Sequence, residues 1–561
     1  MTGKAKSRRI TSTFNLGGEQ AEADPLLKLA FYQSDHYRVL VSPFDARCFC
    51  IGRTGGGKSA ALTRLETDYA GQVIRINPED LSLPYITDLD AIRVLAKLGV
   101  RLDPLFIALW KHVLLVEIIR HRYKIDSPDA KQGVVRAIRE RIKHDPSKEA
   151  ALTYLDEFEG KFWCEADERV RDITTHIEER FERAGALEIG PAASSLVGAG
   201  VGGSREKSVS SSVESQQIAR FQRIVNETQL ARLNKMMKVL DEDILTSDEH
   251  YTYVVIDDLD RDWVDEAVAN DLVRCLFRTV IDLKSVRNLK ILVALRTNIF
   301  EHLDFGRKTG GQEEKFRALV LNMQWSKNDL LVMLDERARK AAERAGTERL
   351  NGIRDLLPVK TKKKGDPMEF ILARTLMRPR DAIAFLNTCL QIGVGSTRLK
   401  WETIHAAEPS YSQKRLLALR DEWKSAYPGI EEVFYVFRRV ELPIPRDQFS
   451  QLLDEVILLR VRDAFPGVAW VSELGEGVWQ AVPHDDWAEL YQPLTRVLFR
   501  IGFIGCSRSA TGPELYVYDD PDFAERAVNL DSHCHFYIHP AFRSALDIEV
   551  TSSKGSGARS D

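Results

Sequence analysis

The sequence predicts an α/β fold: a parallel sheet built around a phosphate-binding loop, with a helical insertion, an α-helical lid and a C-terminal winged-helix-like α+β domain. Three observations predict it. The apolar stretch Cys48-Phe49-Cys50-Ile51 runs into the glycine-rich turn Gly52-Arg53-Thr54-Gly55-Gly56-Gly57-Lys58-Ser59 and then into a helical pattern. A second apolar stretch, Tyr251-Thr252-Tyr253-Val254-Val255-Ile256, ends in the paired carboxylates Asp257 and Asp258. A third, Lys290-Ile291-Leu292-Val293-Ala294-Leu295, ends in Arg296-Thr297-Asn298. Strands that are apolar throughout belong in a sheet covered on both faces. Such sheets take their ligands at the carboxyl edge of the strands, where all three polar groups fall.

The turn fits the spacing G-x-x-x-x-G-K-[ST] from Gly52 to Ser59. Its glycines allow backbone N–H groups to crowd around phosphate oxygens. The helix that follows presents its positive dipole end to the same anion. Leu62, Leu65 and Tyr69 recur at helical spacing, so the required helix is there. Gly52, Arg53, Thr54, Gly55, Gly56, Gly57, Lys58, Ser59 and Ala60 are the candidate nucleotide-binding residues. Lys58 is expected on the β- and γ-phosphates, and the Ser59 hydroxyl on Mg²⁺. A glycine-rich β-to-α turn without a ligand is the plain alternative, and the second acidic motif weighs against it.

In chain order, residues 1–25 read as a polar, frayed tail with no apolar segment after Lys4, Lys6, Arg8 and Arg9, so no signal peptide is expected. Residues 26–88 form the first part of the core: a short helix over 26–37, the loop, and a strand at 72–78 stopped by Pro78. Residues 89–247 are a helical insertion. Leu105, Leu109, Val113, Val116 and Ile119 mark one face of a helix over 104–123. Further helices are expected at 133–160, 166–184 and 216–240, separated by a Gly/Ser-rich linker at 185–215.

Residues 248–325 complete the core. Asp257 is the candidate Mg²⁺ ligand, and Asp258 the candidate group for orienting or deprotonating an attacking water. Arg296 and Asn298 stand where a γ-phosphate sensor belongs. A fifth strand is expected at 318–324. Residues 326–400 form the lid, with Ser326 as a helix N-cap near Asp329 and a new helix started by Pro379 within Arg378-Pro379-Arg380-Asp381. Residues 359–365 carry four lysines and read as a solvated loop.

Residues 401–551 hold helices at 411–427, 430–440, 446–465 and 488–501. A hairpin pairing 503–506 with 514–518 and a last strand at 536–540 follow, so a winged helix is expected. Residues 552–561 are expected to be disordered. His533, His535 and His539 would share a strand face, but no second set of ligands accompanies them, so no metal is expected there.

The bulk numbers agree with a multidomain globular chain. Of 561 residues, 44% are apolar and 29% charged. A net charge of −4 drives the chain neither onto nucleic acid nor onto an anionic membrane. Seven cysteines without a C-x-x-C pair suit a reducing, cytoplasmic location. The sequence has no run of about 18 apolar residues, so no membrane span is expected.

Together these motifs resemble the AAA+-like and STAND-type P-loop NTPases, especially KAP-related bacterial ATPases. Those carry an Asp-Asp-Leu-Asp-Arg box after the Walker B strand, present here as Asp257-Asp258-Leu259-Asp260-Arg261. Gly52 to Ser59 matches their Walker A loop, Arg296-Thr297-Asn298 falls at their sensor 1, and Arg380 at their sensor 2 as a nucleotide contact. The chain departs from them in two places. It inserts soluble helices where KAP proteins insert membrane helices, and it has Asp258 where AAA+ proteins have a catalytic Glu.

The resemblance implies ATP and Mg²⁺ as cofactors and ATP hydrolysis by a homo-oligomer. A neighbouring subunit would add an arginine, for which Arg261, Arg307 and Arg317 are candidates. It also implies an effector or signalling protein as partner, in bacterial defence or signalling. Two further readings stand beside the switch ATPase. One is an ATP-controlled DNA-binding regulator or loader acting through the winged helix, with nucleic acid as partner. Asp485, Asp486, Asp519, Asp520 and Asp522 near the wing weaken a phosphate-gripping role. The other is a nucleotide-dependent scaffold that does not hydrolyse.

Overall fold

Five short apolar runs form one parallel sheet. They are β1 (Phe49–Gly52), β2 (Val73–Ile76), β3 (Thr252–Ile256), β4 (Leu289–Arg296) and β5 (Val320–Asn322), in the order β2-β3-β4-β1-β5. The structure, a computed structural model, describes residues 9–78, 100–124, 128–149, 151–153, 230–247, 251–259, 266–303, 313–481, 487–530 and 534–548. The expected linker at 185–215, the helix at 166–184, the tail at 552–561, His533, Arg261 and Arg307 lie outside these residues. Two units make up the fold: Asp35–Gly52 with Ala61–Asn322, and Met1–Ser34 with Arg53–Ala60 and Met323–Asp561.

The first unit holds the sheet. β1 and β3 are buried along their whole lengths, and β4 everywhere but Arg296. Phe49, the first residue of β1, pairs with Val293 in the middle of β4, and Val293 with Ile256, the last residue of β3, so β1 and β4 run on beyond the end of β3. Its helices are α1 (Asp35–Val41), α2 (Lys58–Asp68) from Ala61 onward, α3 (Asp103–Tyr123), α4 (Pro128–Ile142), α5 (Leu230–Val239), α6 (Glu266–Leu283), α7 (Thr297–His302) and α8 (Glu313–Arg317).

The insertion helix α3 is more central than its sequence face suggested. The five expected residues of α3 are buried, and so are Trp110, Leu114, Leu115 and Ile118. A helix apolar around most of its circumference belongs inside a core. Trp110 Nε1 donates to the Leu272 carbonyl at 3.0 Å, and Arg274 and Arg278 of α6 bracket Asp103 at 2.7 and 2.8 Å. Phe49 of β1 stacks on Phe277 of α6 with ring centroids 3.8 Å apart.

In the second unit, α9 (Lys327–Ala345), α10 (Pro367–Ala373), α11 (Pro379–Ile392) and α12 (Trp401–Trp423) follow the lid span. Ser326 caps α9 in a reciprocal box with Asp329, and Pro379 opens α11, as the sequence leads one to expect. α12 starts ten residues before the expected helix and carries Pro409 inside it.

The frayed N-terminal tail is corrected over its described part. Ile10, Phe14, Leu16 and Leu26 are buried against Leu330, Leu334 and Leu386. Ile10 donates to the Ser396 carbonyl and accepts from Gly395 N–H, both at 2.8 Å. These apolar residues have no helical or strand period, and a period is what sequence inspection reads. The helix expected over 26–37 is likewise replaced by turns, and helix begins only at Asp35.

The C-terminal part comprises α13 (Ile430–Val436), β6 (Ile444–Pro445), α14 (Arg446–Leu458), α15 (Val468–Gln480), α16 (Trp487–Arg500), β7 (Ile504–Ser507), β8 (His535–Ile538) and α17 (Pro540–Arg543). Its three strands form an antiparallel sheet in the order β6-β8-β7, a winged-helix-like arrangement. The expected hairpin is corrected: β7 pairs with β8, and residues 514–518 add a single bridge, Leu515 to Cys506. α15, a helix with no counterpart in the sequence reading, contains Gly475. A Cβ at Gly475 would approach Ile457 to 3.0 Å, so the glycine lets two helices close.

The fold class is thus the expected one, an α/β fold with a five-stranded parallel sheet. Among the described residues, no helix is long and apolar enough to cross a membrane.

Candidate functional site

The sheet unit gathers acids and amides at the carboxyl edge of its strands. Gly52, the last residue of β1, is paired with Arg296, the last of β4. Asp257 and Asp258 follow β3 directly. Asp257 is buried, with Arg75 Nη2 of β2 3.6 Å from its Oδ2, and Arg75 Nε also reaches Glu66 Oε1 at 3.1 Å. Asp258 has φ +59°, in the left-handed region, and its N–H donates to Asp257 Oδ1 at 3.0 Å. A non-glycine residue there stores of order 1–3 kcal/mol of strain, and such strain gathers at functional sites. Asn298 is buried in the first turn of α7, beside half-buried Arg296. The four expected catalytic and metal residues of this unit therefore lie at one edge, on neighbouring strands.

The second unit holds the phosphate loop. Gly55 and Gly57 have φ of +79° and +93°, conformations that admit glycine freely and penalise a Cβ. A Cβ on Gly55 would also come 2.8 Å from Arg380 Cβ. The loop is held from several sides. Trp325 Nε1 donates to the Gly56 carbonyl at 2.8 Å, and Lys58 Nζ donates to the Arg53 carbonyl at 3.2 Å. Arg380 Nε donates to the Glu19 carbonyl at 3.0 Å.

A cavity of about 120 Å³ opens here, bounded by Gly55, Gly57, Lys58, Ser59 and Ala60, by Arg380 and Ile383 of α11, and by Arg337 of α9. Its remaining wall is the N-terminal segment, from Gly18 through Glu19 and Glu22 to Leu27. Buried Asp24 pairs with Arg337 at 2.7 Å and fixes that wall. The structure brings Lys58, Ser59 and Arg380 to one cavity. The loop glycines, the lysine and the arginine fit an anionic phosphate group.

Arg53 and Thr54 were expected as loop residues facing phosphate, but the Arg53 side chain is committed elsewhere. Its Nε and Nη2 donate to the two Glu422 oxygens at 3.3 and 3.2 Å, and Thr54 N–H donates to Glu422 Oε1 at 3.3 Å. Arg378 Nη1 donates to Glu422 Oε2 at 3.0 Å and to the Thr54 carbonyl at 2.9 Å. Asp381 then joins Arg378 at 3.1 Å to Arg415 at 2.8 Å. Burial alone would raise the Glu422 carboxyl, but Arg53 and Arg378 outweigh it and hold it down to about 2. Asp381 is likewise held down to about 2 by Arg378 and Arg415 against its burial. Desolvation lowers the Arg53 guanidinium, which shares Glu422 with Arg378.

The N-terminal wall, Trp325 and Glu422 escaped the sequence reading. Trp325 lies three residues beyond β5 and directly after the span expected for it from the sequence, a position that could have flagged it. Glu422 is one acid in a long helix, with partners 44 and 369 residues away, and carries no local signal. Of the three candidate arginine fingers, Arg317 is described, at the exposed end of α8. His539 N-caps α17: Nδ1 accepts from Ala541 N–H at 3.1 Å, which leaves Nε2–H for the Tyr518 hydroxyl at 3.1 Å. Both ring nitrogens are used, and among the described residues no group of three potential ligands could hold a metal ion.

Residues 328–420 match the FunZ-associated C-terminal helical domain, a span from α9 to the last turns of α12. In a match 580 residues long that covers 96% of this chain, the sequence is 22% identical to the transposon gamma-delta 80.3 kDa protein of Escherichia coli (strain K12), covering 68% of that protein. Among solved structures, the Aeropyrum pernix ORC1 protein in complex with DNA is similar at 13% identity, over 91% of this chain and 96% of that one, with a TM-score of 0.28.

Proposed function

We propose that the chain is a switch ATPase that binds and hydrolyses ATP with Mg²⁺, working in a bacterial defence or signalling complex. The observation that carries the reading is the cavity at which left-handed Gly55 and Gly57, Lys58, Ser59 and Arg380 meet. Loop amides and Lys58 take the β- and γ-phosphates, and Arg380 adds positive charge from α11. Ser59 and Asp257 hold the Mg²⁺, which when bound neutralises charge on the phosphates and leaving group. Asp258 orients or deprotonates water, and its left-handed backbone fixes where its carboxylate is carried. Asn298 and Arg296 report the terminal phosphate. The homo-oligomer and the arginine supplied in trans belong to this proposal, and such a finger is worth roughly 10³–10⁵ in rate.

The experiment is MgATP binding and phosphate release by wild type, Lys58→Ala and Asp258→Asn. The reading expects lost binding in the first variant and retained binding with slowed turnover in the second. Equal turnover in all three ends it. ATP binding with no phosphate release under any condition selects the scaffold.

A second reading, a DNA-binding regulator, draws on the antiparallel β6-β8-β7 sheet with α14 and α16. A steep fall of DNA affinity with salt is its required signature.

A further inference from the structure

Six charged side chains form a chain of ion pairs that ends on the backbone of the phosphate loop. From the outside inward they are Glu19, Arg415, Asp381, Arg378, Glu422 and Arg53. Five are largely buried, with side-chain exposures from 2% for Asp381 to 16% for Arg53. Three positive and three negative charges balance. Buried ion pairs of this kind are weak contributors to stability, because desolvating the charges offsets their attraction. Apolar residues of similar volume often fill such a space without loss of stability, so the ions invite a role beyond holding the fold.

Geometry supplies one. The cluster grips both polar groups of Thr54: Glu422 accepts its N–H at 3.3 Å, and Arg378 donates to its carbonyl at 2.9 Å. It also holds Arg53 bidentately through the two Glu422 oxygens. Thr54 immediately precedes left-handed Gly55, where the loop turns inward. A loop rich in glycine has many backbone conformations, and one of them must be selected for its amides to converge. The far side of Arg53 is fitted as closely. A Cβ at Gly502, between α16 and β7, would stand 2.8 Å from Arg53 Nη1.

We infer that Glu422 is a positioning residue for the phosphate loop: through Arg53, Thr54 and Arg378 it selects the loop conformation that takes nucleotide. The last turn of α12 thereby sets nucleotide affinity from outside the loop. The inference rests on the ATP-binding reading. Glu422 touches no substrate atom in it and acts through the loop backbone.

The test uses the full chain with MgATP as the probe. The dissociation constant is measured by calorimetry, turnover by phosphate release, and melting temperature alongside both. Glu422→Gln leaves Arg53 and Arg378 short of a counter-charge and is expected to weaken MgATP binding about tenfold or more. Turnover at saturating MgATP is expected to fall less than about threefold, because no reacting group is removed. Adding Arg53→Gln removes the stranded charge but does not restore the grip on the Thr54 N–H, so affinity is expected to stay close to that of Glu422→Gln, and full recovery would overturn the inference.

Asp103→Asn, which takes the paired carboxylate from Arg278 and leaves Arg274 with Asp271 alone, serves as the stability control. It is expected to lower the melting temperature without changing MgATP affinity. Where Glu422→Gln does not fold, Arg378→Lys keeps one charge but cannot span Glu422, Asp381 and the Thr54 carbonyl, and the same loss is expected. Unchanged affinity in the folded variant overturns the inference. So does a loss that merely follows melting temperature across the Asp103→Asn control. A wild type that binds no MgATP overturns the ATPase reading as well. A wild type that binds, with a Glu422→Gln variant that binds equally, overturns this inference alone.

Discussion

Arg75 Nη2 stands 3.6 Å from Asp257 Oδ2, so the carboxylate expected to hold Mg²⁺ carries a guanidinium counter-charge. A positive neighbour opposes a second cation at the same carboxylate, and partial exposure of Arg75 moderates the effect. Arg75→Ala is expected to lower the Mg²⁺ concentration for half-maximal ATP turnover by about two- to fivefold. A Mg²⁺ titration of phosphate release checks it, and an increased requirement for Mg²⁺ would contradict it.

Gly55 cannot accept a side chain. Its φ of +79° is costly for L-residues, and an added Cβ meets the Arg380 stem at 2.8 Å. Gly55→Ala is expected to destabilise the loop by about 1–2 kcal/mol and to weaken MgATP binding. Gly71, also at positive φ but with open space around it, is the control. Gly71→Ala is expected to carry the backbone cost alone, with MgATP affinity preserved.

The ion cluster makes stability sensitive to strong acid. Glu422 and Asp381 are held down to about 2, from ordinary values of 4.5 and 3.8. Carboxyls depressed in the folded state stabilise it above their unfolded values, and that stability is lost as pH falls toward the folded ones. The loss therefore falls between about pH 4.5 and 2 and amounts to something on the order of 2–3 kcal/mol per carboxylate. Urea unfolding across this range checks it. Glu422→Gln is expected to flatten the slope while lowering stability at neutral pH.

His539 titrates in a separate window. Burial drives its imidazole pKa well below the ordinary 6.5, so the folded chain keeps it neutral while the unfolded chain takes up a proton. Stability then falls as pH drops below about 6.5. Comparing wild type with His539→Asn isolates this slope. Parallel curves would contradict it.

The N-terminal wall of the cavity depends on a buried pair. Asp24 and Arg337 are 2.7 Å apart with side chains 2% and 6% exposed. Removing one partner strands the other, so Asp24→Ala is expected to cost about 3–5 kcal/mol. Thermal and urea unfolding check it, and a cost below about 1 kcal/mol would contradict it.

What could be read in advance follows the range of the interactions. β1, β3 and β4 were legible because each is an apolar run closed by glycine, aspartate or arginine. The loop was legible because left-handed turns before a lysine need glycine at fixed spacing, and the start of α11 because Pro379 allows a helix only at its first turn. Ile10, Phe14, Leu16 and Leu26 were misread because their burial comes from the lid span rather than from any period of their own. The β7–β8 pairing was missed because a connection of 27 residues joins the strands, while the nearer segment at 514–518 looked like a hairpin partner. Glu422 was invisible because its partners are far away in sequence and nothing local distinguishes it from neighbouring acids.

The central claim is that this chain takes ATP through its glycine loop and breaks it with acids at the sheet edge. The most direct measurement is phosphate release from MgATP by full-length wild type, Lys58→Ala and Asp257→Asn, with MgATP binding measured on the same samples. The account expects turnover in wild type alone, with binding abolished in Lys58→Ala and Mg²⁺-dependent affinity lost in Asp257→Asn. Wild-type binding and turnover retained in both variants would contradict it.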